Sequence, residues 1–362
     1  MTHFRQFWFA GVLTLAALVV AFAFGGPQTA LIVLILSVLE VSLSFDNAVV
    51  NARILNRMHP IWQQLFLTVG IIIAVFGMRL VLPIIIVAVT ANLSIPDVID
   101  LALNDATTYG EKLAESEVAI YAFGGTFLLM IFLDFVLDPE REVLWLKPIE
   151  LALQKVGKLD QFSVVIALAG LYLMHALAPE EDSLTVFVAG VAGLITYLLV
   201  SGLDSLFEAS MEEDDDSETV DLAPNGKMTM ELFKAGVFTF LYLEVLDASF
   251  SFDGVIGAFA ISDEVLVIAL GLGVGAFWIR SLTIFLVRAG TLNEYLYLEH
   301  GAMWAIGALA GIMLASVHYH VPEVVTGLIG VGFIGLAVVS SVAHKKRHPE
   351  EDDDVATVAS TH

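Results

Sequence analysis

The sequence predicts an all-α, polytopic membrane protein of about ten transmembrane helices, organised around an inverted repeat of three helices. Three observations carry this reading. First, 58% of the 362 residues are hydrophobic and the mean hydropathy is +0.84, whereas soluble domains are about 45–50% apolar. Second, several apolar runs reach the length of about 18 residues or more that a bilayer crossing requires. Third, an acidic motif buried in one such run returns about two hundred residues later, in a span whose expected direction is reversed.

The ten expected spans are Phe7–Phe24, Thr29–Val50, Ile61–Val89, Val118–Leu137, Phe162–Ala178, Leu184–Leu203, Leu232–Ile261, Val265–Val287, Ala302–His318 and Pro322–Val342. The first resembles a secretory signal because Arg5 precedes it. Its apolar core is longer than such signals carry, which favours a retained helix. The third and seventh exceed what a bilayer needs and predict a tilt or a break. Residues 91–117 form an acidic connection with room for a short surface helix. The chain then divides into a first membrane half, 1–207 (repeat helices about 29–137), an acidic linker, 208–230, a second half, 231–343 (repeat helices about 231–318), and a tail, 344–362. Linker and tail lack an apolar period and read as disordered.

Orientation follows from the basic residues. With the N-terminus inside, thirteen of the sixteen lysines and arginines fall in cytoplasmic segments and only Lys112 falls outside. Arg79 and Arg280 lie within spans. This bias places both termini in the cytoplasm of a multi-pass cell-membrane protein.

The formal net charge of −24 argues against nucleic acid or an anionic lipid surface as a partner. There is no cysteine, so thiolate metal sites and disulfides are excluded. Any metal must be held by oxygen or histidine.

The repeat is read from two matched stretches. Ser42-Leu-Ser-Phe-Asp46 corresponds to Ser249-Phe-Ser-Phe-Asp253, an offset of 207 residues. Gly70, Phe76 and Arg79 correspond to Gly271, Phe277 and Arg280, an offset of 201. Gly124 and Met130 pair more weakly with Gly307 and Met313. Since the matched spans have opposed directions, the halves are inverted relative to each other, a pattern of secondary transporters.

Carboxylates inside a span cost about 2.5–3.5 kcal/mol each at the centre of an inserted helix, so two acidic copies need a reason. On an ideal helix Ser44 and Asn47 share the face of Glu40, while Asp46 falls about 120° away. Asp247 and Ser251 lie near the face of Glu244, and Asp253 lies opposite. Asp-Asn and Asp-Gly are turn pairs. Both helices are therefore expected to unwind near Asp46 and Asp253, turning those acids inward.

The expected metal ligands are Glu40, Asp46, Asn47, Glu244, Asp247 and Asp253, with Ser44 and Ser251 helping. Such oxygen sets suit Mg²⁺, Ca²⁺ or Mn²⁺. The competing reading is a polar clamp between helices that holds no ion. Arg79 and Arg280 read as structural counter-ions. Asp134, Asp204, His175 and His318 lie near span ends and read as interfacial, and Gly271, Gly273 and Gly275 as sites of close helix packing. No protease or hydrolase motif is present, so no enzymatic role is expected.

The strings Glu40-x-x-x-Ser44-x-Asp46-Asn47 and Glu244-x-x-Asp247-x-x-Phe250-x-x-Asp253 resemble the paired motifs of TerC-type (tellurium-resistance) integral membrane proteins, within the LysE-like transporter superfamily. The spans bearing Arg79 and Arg280 fit that resemblance. The chain departs from it in Asp253-Gly254-Val255-Ile256, where the family carries Asp-Ser-Ile-Pro, and in having about three more spans. The resemblance implies a divalent-cation exporter, Mn²⁺ or Ca²⁺, with the acidic motifs as the ion site, no permanently bound cofactor, and possible proton coupling. The alternative is a scaffold or stress-complex subunit without ion flux of its own. Expected partners are membrane lipid and the cation, with a homo-oligomer or membrane complex left open.

Overall fold

A computed structural model of the chain describes residues 4–159, 161–212, 230–259, 261–262, 264–289, 295–319 and 321–347. Helices account for nearly all of them, and no strand occurs among these residues. The helices are α1 (Phe4–Leu43), α2 (Phe45–Arg57), α3 (Pro60–Leu65), α4 (Leu82–Thr90), α5 (Ile95–Asn104), α6 (Ala106–Ala114), α7 (Glu117–Leu137), α8 (Lys147–Val156), α9 (Phe162–Leu177), α10 (Glu180–Glu212), α11 (Met230–Phe259), α12 (Val265–Ala289), α13 (Leu298–Ser316) and α14 (Glu323–Arg347). Two π-helical stretches, Phe66–Gly70 and Ile73–Val81, lie between α3 and α4.

Seven stretches among the described residues are long and apolar enough to cross a membrane, against ten read from the sequence. The difference has three causes. Helix α9 is apolar but has only 16 residues. Helix α11 has 30 residues and carries the acids of the second motif. Helix α1 holds two expected spans in one element, broken at Gly26 (φ 75°, ψ −165°) and Pro27.

The contacts of α1 require a reversal at that break. Trp278 donates a hydrogen bond to Thr14, and Ser37 donates one to the Gly271 carbonyl. A straight helix would separate Thr14 from Ser37 by about 35 Å, whereas Trp278 and Gly271 lie about 10 Å apart along α12. The two arms of α1 therefore double back along α12, and Gly26 adopts the left-handed backbone that the turn needs.

Helix α7 forms the centre. Ala122, Phe127 and Leu128 are fully buried on it. Outward faces stay apolar: Leu15 and Phe24 on α1, Tyr172 on α9, Leu199 on α10 and Val339 on α14 are all exposed. An apolar exterior around helices that satisfy their own backbone groups is what lipid demands.

The inverted repeat is visible in the packing. Trp62, Phe66 and Gly70 meet Gly236, Phe240 and Glu244 of α11 in step, so the two segments run parallel. In the same way Leu36 and Glu40 of α1 meet Gly271 and Gly275 of α12. The first helix of each repeat thus lies alongside the second helix of the other. Ser37 against Gly271 and Glu244 against Gly70 are the same contact, related by the two sequence offsets. The third helices, α7 and α13, run antiparallel, with Gly124 facing Met313 and Gly307 facing Phe132.

Several expectations need correction. Helix α11 stays helical through Asp253 rather than unwinding there. Its continuous backbone keeps its internal hydrogen bonds while Gly254 gives it room beside Glu40. The first motif does break, but at Ser44, between α1 and α2. The acidic connection after α4 holds two helices, capped by the side chains of Ser94 and Asp105, instead of one. Helix α10 runs to Glu212, into the expected linker, residues 203–212 containing neither glycine nor proline. Helix α14 runs to Arg347, into the expected tail, its last turn carrying His344, Lys345, Lys346 and Arg347, which favour a helix C-terminus. Residues 213–229 and 348–362 lie outside the described residues.

The glycine packing makes a testable claim. A β-carbon at Gly275 would fall 2.5 Å from the Glu40 β-carbon, whereas one at Gly335 would meet nothing within 4 Å. Gly275→Val should destabilise the purified protein by about 1–3 kcal/mol, read as a lower unfolding midpoint in detergent. Gly335→Ala should leave the midpoint unchanged.

Candidate functional site

Glu40 ends its helix arm 1% exposed. Ser44, one turn on, donates to Glu40 Oε1 at 2.9 Å, and the Arg79 guanidinium donates to the same oxygen in an ion pair. A second Arg79 nitrogen donates to the Ala74 carbonyl. That carbonyl lies in the π-helical stretch, whose widened turn leaves backbone groups free for side chains. Glu40 Oε2 has no hydrogen-bond partner among the described residues and points toward Gly254, where a β-carbon would approach it to 3.0 Å.

The second repeat contributes Glu244 and Asp247. Asn47 Nδ2 donates to Asp247 Oδ1 at 3.0 Å, and the Asn51 side chain lines the same cavity as Asp247. Both amides come from α2, where they sit one turn apart. Glu244 is 6% exposed, yet among the described residues neither of its carboxylate oxygens has a hydrogen-bond partner. Gly70 lets it approach: a β-carbon there would lie 2.8 Å from Glu244 Oε1.

These groups surround a cavity of about 40 Å³, lined by Glu40, Ser44, Asn51, Glu244, Asp247, Arg79 and Arg280 among others. It has room for an ion with one or two waters. Leu67 and Arg280 also line a larger cavity of about 440 Å³, which reaches Pro60, Gln63 and Val287.

Of the residues expected from sequence, Glu40, Ser44, Asn47, Glu244, Asp247, Arg79 and Arg280 are thus brought together. Ser251 is buried but does not line the cavity. The side chains of Asp46 and Asp253 lie outside the described residues. Their backbones fall in the first turn of α2 and within α11. Among the described residues, no three Asp, Glu or His side chains are grouped closely enough to hold a metal on their own. Asn51 was missed, although its spacing of four from Asn47 puts it on the same helix face. Gly70 and Gly254 leave no signal except as gaps opposite an acid.

Three of the residues expected near span ends have described side chains, and of these His318 has a buried Nε2 with no hydrogen-bond partner among the described residues. His175 is tied to Ser183 at 2.7 Å, joining α9 to α10. Tyr197 donates to Asp134. The side chain of Asp204 lies outside the described residues.

A third buried acid, Glu150 on α8, has no counterpart in the sequence reading. It is 0% exposed. It accepts from the Trp145 backbone at 3.0 Å and from the Trp304 indole at 2.9 Å, and faces Arg141 at 3.4 Å. Arg141 also lies over the Phe135 ring. Burial pulls its guanidinium below the ordinary range, while Glu150, Asp138 and Glu299 hold it up. Every oxygen of Glu150 is engaged, so this acid is a structural tie rather than an open ligand.

Residues 45–348 match the protein family described as "Protein of unknown function (DUF475)". The chain belongs to this family. It is also similar to "Uncharacterized membrane protein YceF" of Bacillus subtilis (strain 168), at 30% identity over 120 residues. That match covers 32% of this chain and 46% of the relative, so the chain spans about half the length of the curated relative it matches. No solved structure matches. The DUF475 profile begins at Phe45 and so takes in Asn47, Asn51, Arg79, Glu244, Asp247 and Arg280, with Glu40 just before it.

Glu150→Ala should cost about 3–5 kcal/mol by leaving Arg141 buried without its partner, seen in the same detergent unfolding measurement. Glu150→Gln, which keeps an acceptor for Trp304, should cost less than half as much. Equal unfolding midpoints for Glu150→Ala and the unmodified protein would contradict the structural role.

Proposed function

We propose that this chain is a secondary transporter that moves a divalent cation, Mn²⁺ or Ca²⁺, out of the cytoplasm through the cavity between its two repeats. One observation carries the reading: Glu244 is buried with both carboxylate oxygens unpartnered among the described residues, beside a Glu40 oxygen in the same condition. A buried polar group without a partner is costly. The cavity wall carries three carboxylates, too far apart to bind together in the state described, and the oxygens of Ser44 and Asn51; drawn in by a cation they would form an oxygen set that suits a hard divalent ion. Arg79 and Arg280 offset two of the described negative charges, so the cavity favours one cation without holding a large charge excess. Carboxylates left without metal would take up protons, which would permit proton coupling.

Likeness of the two motifs to those of TerC-type proteins supports the same reading. So does the inverted-repeat packing, with the polar site at the crossing. The direction of transport rests on the likeness to TerC-type proteins; the arginine and lysine bias would put both termini in the cytoplasm of a cell-membrane protein. It would also turn the larger cavity, at Pro60 and Val287, toward the cytoplasm.

Purified protein should bind Mn²⁺ in calorimetric titration and carry it across proteoliposome membranes. Glu40→Gln, Glu244→Gln and Asp247→Asn should each weaken binding by at least about tenfold, or 1.4 kcal/mol, whereas Glu150→Gln should leave it unchanged. Binding that survives all three substitutions would refute the site. Binding without flux would favour a scaffold over a transporter.

A further inference from the structure

The two repeats are equivalent in sequence offset and in helix pairing, but their arginines are in different states. Arg79 is 5% exposed and closes on Glu40. Arg280, its counterpart, is only half-buried and pairs with no carboxylate among the described residues. It stands instead at the junction between the acidic cavity and the larger one.

The asymmetry extends to the surroundings. The larger cavity is lined by Gln64, Leu67, Arg280 and Ile284. Applying the 201-residue offset, their counterparts are Val265, Ile268, Arg79 and Pro83. There the structure is packed shut: Ile268 is 2% exposed, in an apolar cluster with Val265, Val98, Tyr109 and Leu113. One face is open beside the free arginine, and the equivalent opposite face is closed beside the paired one.

We propose that Arg79 and Arg280 act in turn as tethered counter-cations of the acidic site, so that its carboxylates are open from only one face at a time. In the state described, Arg79 occupies Glu40 and the open path runs past Leu67 and Arg280. In the alternate state the roles exchange: Arg280 pairs with Asp247, the repeat counterpart of Glu40, Arg79 releases Glu40, and the path past Ile268 opens. A cation that takes the Glu40 oxygen displaces Arg79, which links loading to the exchange. This rests on the reading of the site as a cation path, but the exchange of arginines can be read without any cation. Two equivalent packings of one repeat against the other are what inverted repeats permit.

The chain contains no cysteine, so single cysteines report on each face. Leu67→Cys and Ile268→Cys would be placed separately in the full chain, in proteoliposomes, and their modification by a charged thiol reagent timed. In the otherwise unmodified chain Leu67→Cys should react at least about tenfold faster, the alternate state being a minor one. Adding Mn²⁺ should raise the rate at Ile268→Cys. Arg79→Gln should slow modification at Leu67→Cys and speed it at Ile268→Cys without Mn²⁺, and Arg79→Lys should restore the original pattern. Arg280→Gln should abolish the Mn²⁺ response at Ile268→Cys. The arginine exchange is overturned if Arg79→Gln changes neither rate or raises both together, or if Arg280→Gln keeps the Mn²⁺ response. Should Arg79→Gln fail to fold, the Arg280→Gln arm decides alone. Reciprocal rates with no Mn²⁺ binding would retain the exchange and discard the cation path. Mn²⁺ binding without reciprocal rates would do the reverse.

Discussion

A carboxylate buried where two membrane helices cross needs a counter-charge, and Arg79 supplies it to Glu40. The rest of the molecule follows from making that contact possible. Arg79 reaches inward from a π-helical stretch and spends a second nitrogen on the Ala74 carbonyl, which fixes the guanidinium. Glu40 reaches the crossing because Gly275 and Gly254 present no side chains to it. Such a pair is held by geometry: desolvating both ions is costly, and the attraction repays it only when the partners meet closely. The glycines are therefore as much a part of the site as the acids.

Two-fold pairing of the repeats explains why one position at the crossing is satisfied and its equivalent is left open. Ser37 and Glu244 occupy equivalent positions, each against a glycine of the opposing helix. In the first repeat the residue is a serine, which bonds the Gly271 carbonyl and closes the position. In the second it is a glutamate, too long and too charged to be served by the equivalent backbone. The repeats thus share a scaffold but differ in chemistry, and the unpartnered oxygens arise at that difference. Glu150 provides the contrast within the same chain, a buried acid whose oxygens are all engaged by tryptophans and an arginine.

Much of the fold was legible in the sequence because lipid imposes strong rules. Apolar runs of spanning length, a thirteen-to-one bias of basic residues, and the repeated Ser-x-Ser-Phe-Asp string identified the helices and their inversion. The site residues Glu40, Asn47, Glu244 and Asp247 were legible as expensive groups in apolar surroundings. What escaped depends on three-dimensional approach. Asn51 and Gly254 matter only because another helix comes near them. Helix α8 and its Glu150 lie in a polar stretch whose burial depends on Trp304, more than one hundred and fifty residues away. The expected unwinding at Asp253 treated Asp-Gly as a turn pair, whereas the tertiary packing uses that glycine for clearance.

The most direct test is the anomalous scattering of Mn²⁺ in an experimental structure of the full chain prepared with the ion. The account predicts one peak in the cavity between Glu40 and Glu244, within about 2.5 Å of a carboxylate oxygen, with Arg79 withdrawn from Glu40. A saturated preparation with no peak between those two acids, and Arg79 still paired to Glu40, would contradict it.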